Sequence, residues 1–145
     1  AGEPEFLVLY GDVLTDLVLQ PMLALHRKQS ANVTIALHRP DDPTSSGLIA
    51  FDGGGRITRF VEKPAANEVF SPWANGGICL CGSAVLEYVG SEGPVDFGLD
   101  VFPRMLREGR RLCAYASEAA FIDFGTPERL RRAEEWAGPS ARADR

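Results

Sequence analysis

The apolar and polar positions divide the chain into short segments whose period switches between that of a strand and that of a helix. Phe6, Leu7, Val8, Leu9 and Tyr10 form an unbroken apolar run that stops at Gly11-Asp12. With no polar position interleaved, the run predicts a strand buried on both faces. Pro21 is placed to open a helix running to about Ser30, because proline suits the first helical turn. From Asn32 to His38, Val33, Ile35 and Leu37 alternate with Thr34, Ala36 and His38, the period of a strand. DDPTSSG is a loop by composition. Gly47 to Asp52 and Arg56 to Glu62 flank the run Gly53 to Gly55 and predict a hairpin.

The second half continues the alternation. Trp73 to Cys81 predicts another apolar strand, and Ser83 is placed to cap a short helix carrying Val85, Leu86 and Val89. Asp96 to Arg107 predicts a helix despite Pro103, with Gly109 as its stop. Leu112 to Ser117 and Ala120 to Phe124 predict strands. Thr126-Pro127-Glu128 opens a last helix as cap, first-turn proline and N-terminal acid, with Leu130, Ala133 and Trp136 on one face. Gly138 to Arg145 reads as a polar tail behind a single domain spanning 1–137. Strands and helices interleave, so the fold class is an α/β sheet with flanking helices.

Composition narrows the functions open to such a sheet. The chain has 145 residues, 45% of them hydrophobic, which is enough for a real core. A net charge of −5 argues against a nucleic-acid partner, which wants clustered Lys and Arg. No stretch approaches the roughly 20 apolar residues of a membrane span, and no basic-then-apolar leader opens the chain. Three cysteines make no disulfide framework, so the expectation is a cytoplasmic, reduced protein. Cys79 and Cys81 face one side of one strand and read as core, while Cys113 is a lone strand residue. His26 and His38 have no partner motif, and Arg129, Arg131 and Arg132 read as a solvated helix face.

Open α/β sheets bind ligands outside the carboxyl ends of their strands. Two acids fall at such ends: Asp12 after FLVLYG, and Asp123 within FIDFGTP. Together they could share a hard divalent cation, most plausibly magnesium, with phosphate oxygens completing its shell. Each alone reads more readily as a turn residue or a local cap, and it is the two together with the next motif that point to function. In FVEKP, Glu62 and Lys63 close a strand before Pro64. Neighbours on a strand point to opposite faces unless the chain turns, as it does at a proline. Lys63 could then meet a phosphate while Glu62 accepts bonds from hydroxyls; an exposed edge pair is the plainer alternative. Asn75-Gly76-Gly77 interrupts an apolar strand with glycine, which marks either a bulge or a close approach by a ligand. Trp73 could border the same ligand or simply pack at the rim.

Taken in order, GD after an apolar strand, SGLIAFD, FVEKP, WANGGICL, DFGLDVFPRML and FIDFGTPERL resemble the sugar-1-phosphate nucleotidyltransferase family, in its mannose-1-phosphate guanylyltransferase-like branch. The resemblance covers nearly all of 5–137 and implies a Rossmann-like nucleotide-diphospho-sugar transferase sheet. It implies that Asp12 and Asp123 hold Mg2+. It further implies that Lys63 binds the phosphate of a sugar 1-phosphate, that Glu62 binds the sugar hydroxyls, and that Gly11, Gly47, Asn75 and Gly76 line the substrate. The implied reaction is in-line attack by the sugar-phosphate oxygen on the α-phosphorus of a nucleoside triphosphate, expelling pyrophosphate, with no protein nucleophile.

One family feature has no match. Members carry a glycine-rich GGxGTRLxPLT loop and a PKP segment that wrap the nucleoside triphosphate. Gly53 to Gly55 lies between two strands and opens no helix, so it is no substitute. The expectation is a sheet incomplete at its N-terminus, a nucleotide site incomplete in this chain, and little or no activity alone. The rival to an enzyme is a truncated domain that binds sugar phosphates, a missing N-terminal segment or a second copy of itself. A second rival, a haloacid-dehalogenase-like phosphatase suggested by GDVLTD, fails because Leu9 falls where its nucleophilic aspartate must stand.

Overall fold

The computed structural model describes residues 4–90 and 93–138. Six strands form the main sheet: β1 (Glu5–Leu9), β3 (Val33–His38), β4 (Gly47–Phe51), β5 (Ile57–Glu62), β6 (Ala74–Gly82) and β7 (Leu112–Ala116). Their order is β5-β4-β6-β3-β7, with β1 also paired to β6. Nine residues long, β6 runs antiparallel to β3 on one side. Its other side is shared, with β4 meeting it at Ala74 and β1 pairing along 78–82. Among the described residues only β3 and β7 run parallel. A separate antiparallel pair, β2 (Val13–Thr15) with β8 (Phe121–Asp123), stands beside this sheet.

Helices cover both faces. On one, Val33, Ile35 and Leu37 of β3 pack with Ile49, Phe60, Cys79 and Cys81 beneath Phe102 and Met105 of α2 (Phe102–Arg107). On the other, Ala36, Ile78 and Leu80 pack beneath Met22 of α1 (Leu19–Lys28). The three cysteines are free and buried, as expected for Cys79 and Cys81. Thr34 is fully buried because its strand lies between two others, and its hydroxyl lies 2.8 Å from His26 Nδ1 of α1. The Glu5–Arg27 ion pair, 2.7 Å, ties α1 to the start of β1.

His26 is only 3% exposed, and burial holds its imidazole below the usual histidine range, opposed by Glu5 and reinforced by Arg27. A folded pKa below the unfolded value means that the unfolded chain takes up the proton more readily. The stability from neutral His26 is therefore present above the unfolded value of about 6.5 and lost as pH falls through and below it. The wild-type melting temperature should fall between about pH 7.5 and about pH 5.5, and fall less in His26→Gln.

Several expectations change. The first strand is buried on one face: Phe6 and Val8 reach the core, whereas Leu7 and Leu9 are 37% and 60% exposed. Among the described strands β1 pairs only with β6, and the side chains of its second face, Leu7 and Leu9, are left open to solvent. Ser83 opens a 3-10 turn (Ser83–Glu87) behind an extended Gly82, with Val85 buried and Leu86 and Val89 exposed. The segment from Asp96 is not one helix. It begins as a π turn (Phe97–Val101) and becomes α2 at Phe102. Pro103 has no N–H for a helical bond, and Phe102 N–H instead reaches back to Phe97 O, five residues earlier.

The last helix, α3 (Pro127–Ala137), has the predicted cap: Thr126 Oγ1 accepts from Arg129 N–H at 3.3 Å. Its apolar face is only partly covered, since Ala133 is buried while Leu130 and Trp136 are each 45% exposed. The tail beyond Gly138 lies outside the described residues. Also within them, no helix is long and apolar enough to cross a membrane.

Candidate active site

The first acid is delivered by a turn. β1 ends at Leu9, the chain reverses at Gly11-Asp12, and β2 pairs with β8 so that Val13 stands opposite Asp123. Phe124 N–H donates to Asp12 O at 2.8 Å and locks this register. The two carboxylates converge beside Gly125: a methyl there would lie 3.2 Å from Asp123 Oδ1 and 3.6 Å from Asp12 Oδ2. Asp123 Oδ1 accepts from Gly125 N–H at 2.8 Å, and Oδ2 is ion-paired with Arg129 at 2.6 Å. Asp12 has no side-chain partner among the described residues.

Glu62 and Lys63 come from the end of β5. Lys63 sits at φ 44°, a left-handed backbone uncommon for a residue with a Cβ. That departure from strand geometry lets two adjacent side chains line one cavity, as the proline after them suggested. The Glu62 carboxylate is seated between two glycines. A Cβ on Gly47, its register partner on β4, would stand 2.5 Å from Glu62 Oε2 and 2.7 Å from the Phe60 ring. A Cβ on Gly98 of the π turn would stand 2.5 Å from the same oxygen. Burial, followed by the nearby Asp96 carboxylate, raises the Glu62 pKa, and Lys63 opposes the shift.

Gly47 is therefore glycine because of its own neighbours. Gly47→Ala should displace Glu62 and the Phe60 ring at a cost of about 1–3 kcal/mol, the range for overpacking a filled site. Chemical denaturation of the variant would show it as a lower midpoint at unchanged slope.

Asn75 folds back on its own bulge, with Oδ1 accepting from Gly77 N–H at 2.9 Å and Nδ2 donating to Tyr10 Oη at 3.4 Å. The β3–β6 register shifts here, and Gly77 takes φ 73°. A Cβ on Gly76 would meet the Phe121 ring at 2.6 Å and Ala36 O at 2.9 Å. Bulge and close approach thus coincide, but the close neighbours are the chain's own. Burial foremost pushes the Tyr10 phenol well up.

A cavity of about 510 Å³ joins these parts. Seven of the eight residues singled out from the sequence line it: Asp12, Gly47, Glu62, Lys63, Asn75, Gly76 and Asp123. Gly11 does not; it stays in the turn, with nothing within 4 Å of where a Cβ would be. Trp73 lies off this cavity, packed near Phe51 and under the Arg39 guanidinium, and lines a smaller neighbouring recess.

Sequence reasoning missed Tyr10, His38, Asp96, Arg129 and Arg132, all in the lining. Asp96 carried a signal, since an acid before FGL can cap a helix: its Oδ1 accepts from Gly98 and Leu99 N–H. His38 rests against Phe121 at 5.6 Å, and burial lowers its pKa against the pull of Asp123 and Asp41. Arg131 and Arg132 are exposed as expected, while Arg129, still 43% exposed, adds an ion pair to Asp123 that the expectation did not include.

The family model described as Nucleotidyl transferase matches residues 1–137. The chain belongs to that family. It is 36% identical over 122 residues to a UTP--glucose-1-phosphate uridylyltransferase of Synechocystis, covering 83% of this chain and 31% of that protein. Against a glucose-1-phosphate adenylyltransferase of Desulfitobacterium hafniense it is 35% identical over 134 residues, covering 86% and 33%. Against the mannose-1-phosphate guanylyltransferase catalytic subunit beta of Danio rerio it is 33% identical over 129 residues, covering 88% and 34%. The chain thus spans about a third of the length of these relatives. Among solved structures it resembles a protein described as a "Putative Glucose-1-Phosphate Thymidylyltransferase" from Bacillus anthracis in complex with a sucrose. The TM-score is 0.78 at 26% identity, over 94% of this chain and 55% of that one. This nucleotidyltransferase chain therefore has the nucleotide-diphospho-sugar transferase fold, with relatives whose names differ in both base and sugar.

Proposed function

We propose that the chain supplies the acceptor- and cation-binding part of a sugar-1-phosphate nucleotidyltransferase. The observation that carries this reading is one cavity lined by a carboxylate pair, Asp12 and Asp123, a lysine, Lys63, and a half-buried acid, Glu62. The reaction joins the phosphate oxygen of a sugar 1-phosphate to the α-phosphorus of a nucleoside triphosphate and breaks the α–β phosphoanhydride, releasing pyrophosphate.

In this reading the protein binds, orients and neutralises, and contributes no nucleophile. Lys63 takes the acceptor phosphate as a point charge. Glu62, Asn75 and the backbone at Gly76 face the sugar, with Glu62 accepting from its hydroxyls. Asp12 and Asp123 fit a magnesium ion: they are hard oxygen donors that converge beside Gly125, and Asp12 has no other side-chain partner among the described residues. When bound, the ion would neutralise charge on the phosphates. Glucose 1-phosphate and mannose 1-phosphate serve as acceptor probes, and the protein is proposed to work in the cytoplasm.

Calorimetric titration tests the reading. At least one of the two sugar phosphates should bind saturably, with the free sugars at least about tenfold weaker, because the Lys63 contact is a charge-assisted one. Equal binding of phosphorylated and free sugar, or none of either, contradicts it. The same samples, given a nucleoside triphosphate, should release little or no pyrophosphate.

A further inference from the structure

Arg129 is the third residue of α3, in the first turn, where exposed N–H groups make a cation unfavourable. What offsets that placement is Asp123, whose Oδ2 lies 2.6 Å from Arg129 Nη1. The two oxygens of Asp123 therefore face different ways. Oδ1 lies beside Gly125 toward Asp12, and Oδ2 is held by a guanidinium that is itself 43% exposed on a long side chain. Arg132, one turn on, lines the same cavity and makes no ion pair among the described residues.

A divalent cation shared by Asp12 and Asp123 would bring a second positive charge onto a carboxylate that already carries one. The two cations repel, and only Arg129 is attached to a side chain free to move. The cavity it would swing across is also lined by Lys63, so a phosphate bound there offers oxygens that a guanidinium can pair with in bidentate fashion.

We propose that Arg129 is a counter-ion switch. It holds Asp123 while the carboxylate pair is free of metal, yields that carboxylate to an incoming divalent cation, and passes to substrate phosphate. Cation binding and phosphate binding are then coupled through one side chain. The inference rests on the reading of Asp12 and Asp123 as cation ligands.

Manganese, counted by its electron paramagnetic resonance signal, tests both layers on the full chain. Arg129→Gln should bind Mn2+ roughly two- to fivefold more tightly than wild type, the range set by loss of an exposed competing ion pair. At saturating Mn2+, it should bind pyrophosphate roughly tenfold more weakly. Arg129→Lys should lie between the two, and Arg132→Gln should leave Mn2+ affinity near wild type. The switch is overturned by unchanged or weaker Mn2+ binding in Arg129→Gln, or by equal tightening in Arg132→Gln, which would mean bulk charge alone. Unchanged pyrophosphate affinity overturns the transfer to phosphate. Asp12→Asn separates the layers: a loss of Mn2+ binding there keeps the ligand reading whatever Arg129 does, and no loss removes that reading and the switch with it.

Discussion

Lys63→Ala should weaken sugar 1-phosphate binding by roughly ten- to a hundredfold, the equivalent of the roughly 1.5–3 kcal/mol carried by hydrogen bonds to charged groups. Its side chain lies in the cavity and outside both packed cores, so the loss should appear in affinity and not in folding. The backbone provides a control. Lys63 holds φ 44°, where residues with a Cβ pay roughly 1–2 kcal/mol relative to the right-handed region. Lys63→Gly should therefore bind as poorly as Lys63→Ala while being more stable than it. Lys63→Arg should not restore full affinity, because a planar fork does not reproduce a compact ammonium at the same stem length. Calorimetry for affinity and denaturant titration for stability separate the two effects.

Phe102→Ala should cost about 3–5 kcal/mol of stability, the largest effect expected of any single change here. Phe102 is fully buried, with its ring against Phe60 at 5.4 Å and Phe97 at 5.5 Å, both near edge-on. It stands where the π turn becomes α2, and that junction presents Asp96 and Gly98 to Glu62. A cavity at Phe102 should therefore loosen the Glu62 end of the cavity as well as the core. Phe102→Leu keeps part of the volume and should recover part of both. A lower denaturant midpoint with unchanged slope is the expected signature; a stability within about 1 kcal/mol of wild type would contradict this packing account.

Much of this architecture was legible because local patterns and tertiary demands agree. The hairpin around Gly53 to Gly55, the β3 alternation and the Thr126 cap appear at their predicted places within a residue or two. The failures come where a neighbour decides. An apolar run such as 6–10 cannot reveal that only one of its faces is covered. Pro103 announced a conflict in its helix but not that a π turn would resolve it. Ala120 to Phe124 read as a strand, yet nothing local says that its partner is β2 and not the main sheet.

The cavity followed the same rule. Acids at strand ends and the Glu62-Lys63-Pro64 sequence carry local signals, so they could be singled out before the structure brought them to one cavity. Arg129 and Arg132 looked like ordinary solvated positions, since the acid that gives Arg129 meaning sits on a different element. Gly47 and Gly76 were singled out for an approaching ligand, whereas the atoms that demand glycine there are Glu62, Phe60, Phe121 and Ala36 O of the chain itself.

The central claim is that one cavity binds a sugar 1-phosphate between a cation-holding carboxylate pair and Lys63. Its most direct measurement is the affinity for sugar 1-phosphate with and without Mg2+, in wild type, Asp12→Asn and Lys63→Ala. The account predicts tighter binding with Mg2+ in wild type, loss of that Mg2+ dependence in Asp12→Asn, and weaker binding under both conditions in Lys63→Ala. Affinities unchanged in both variants would contradict it.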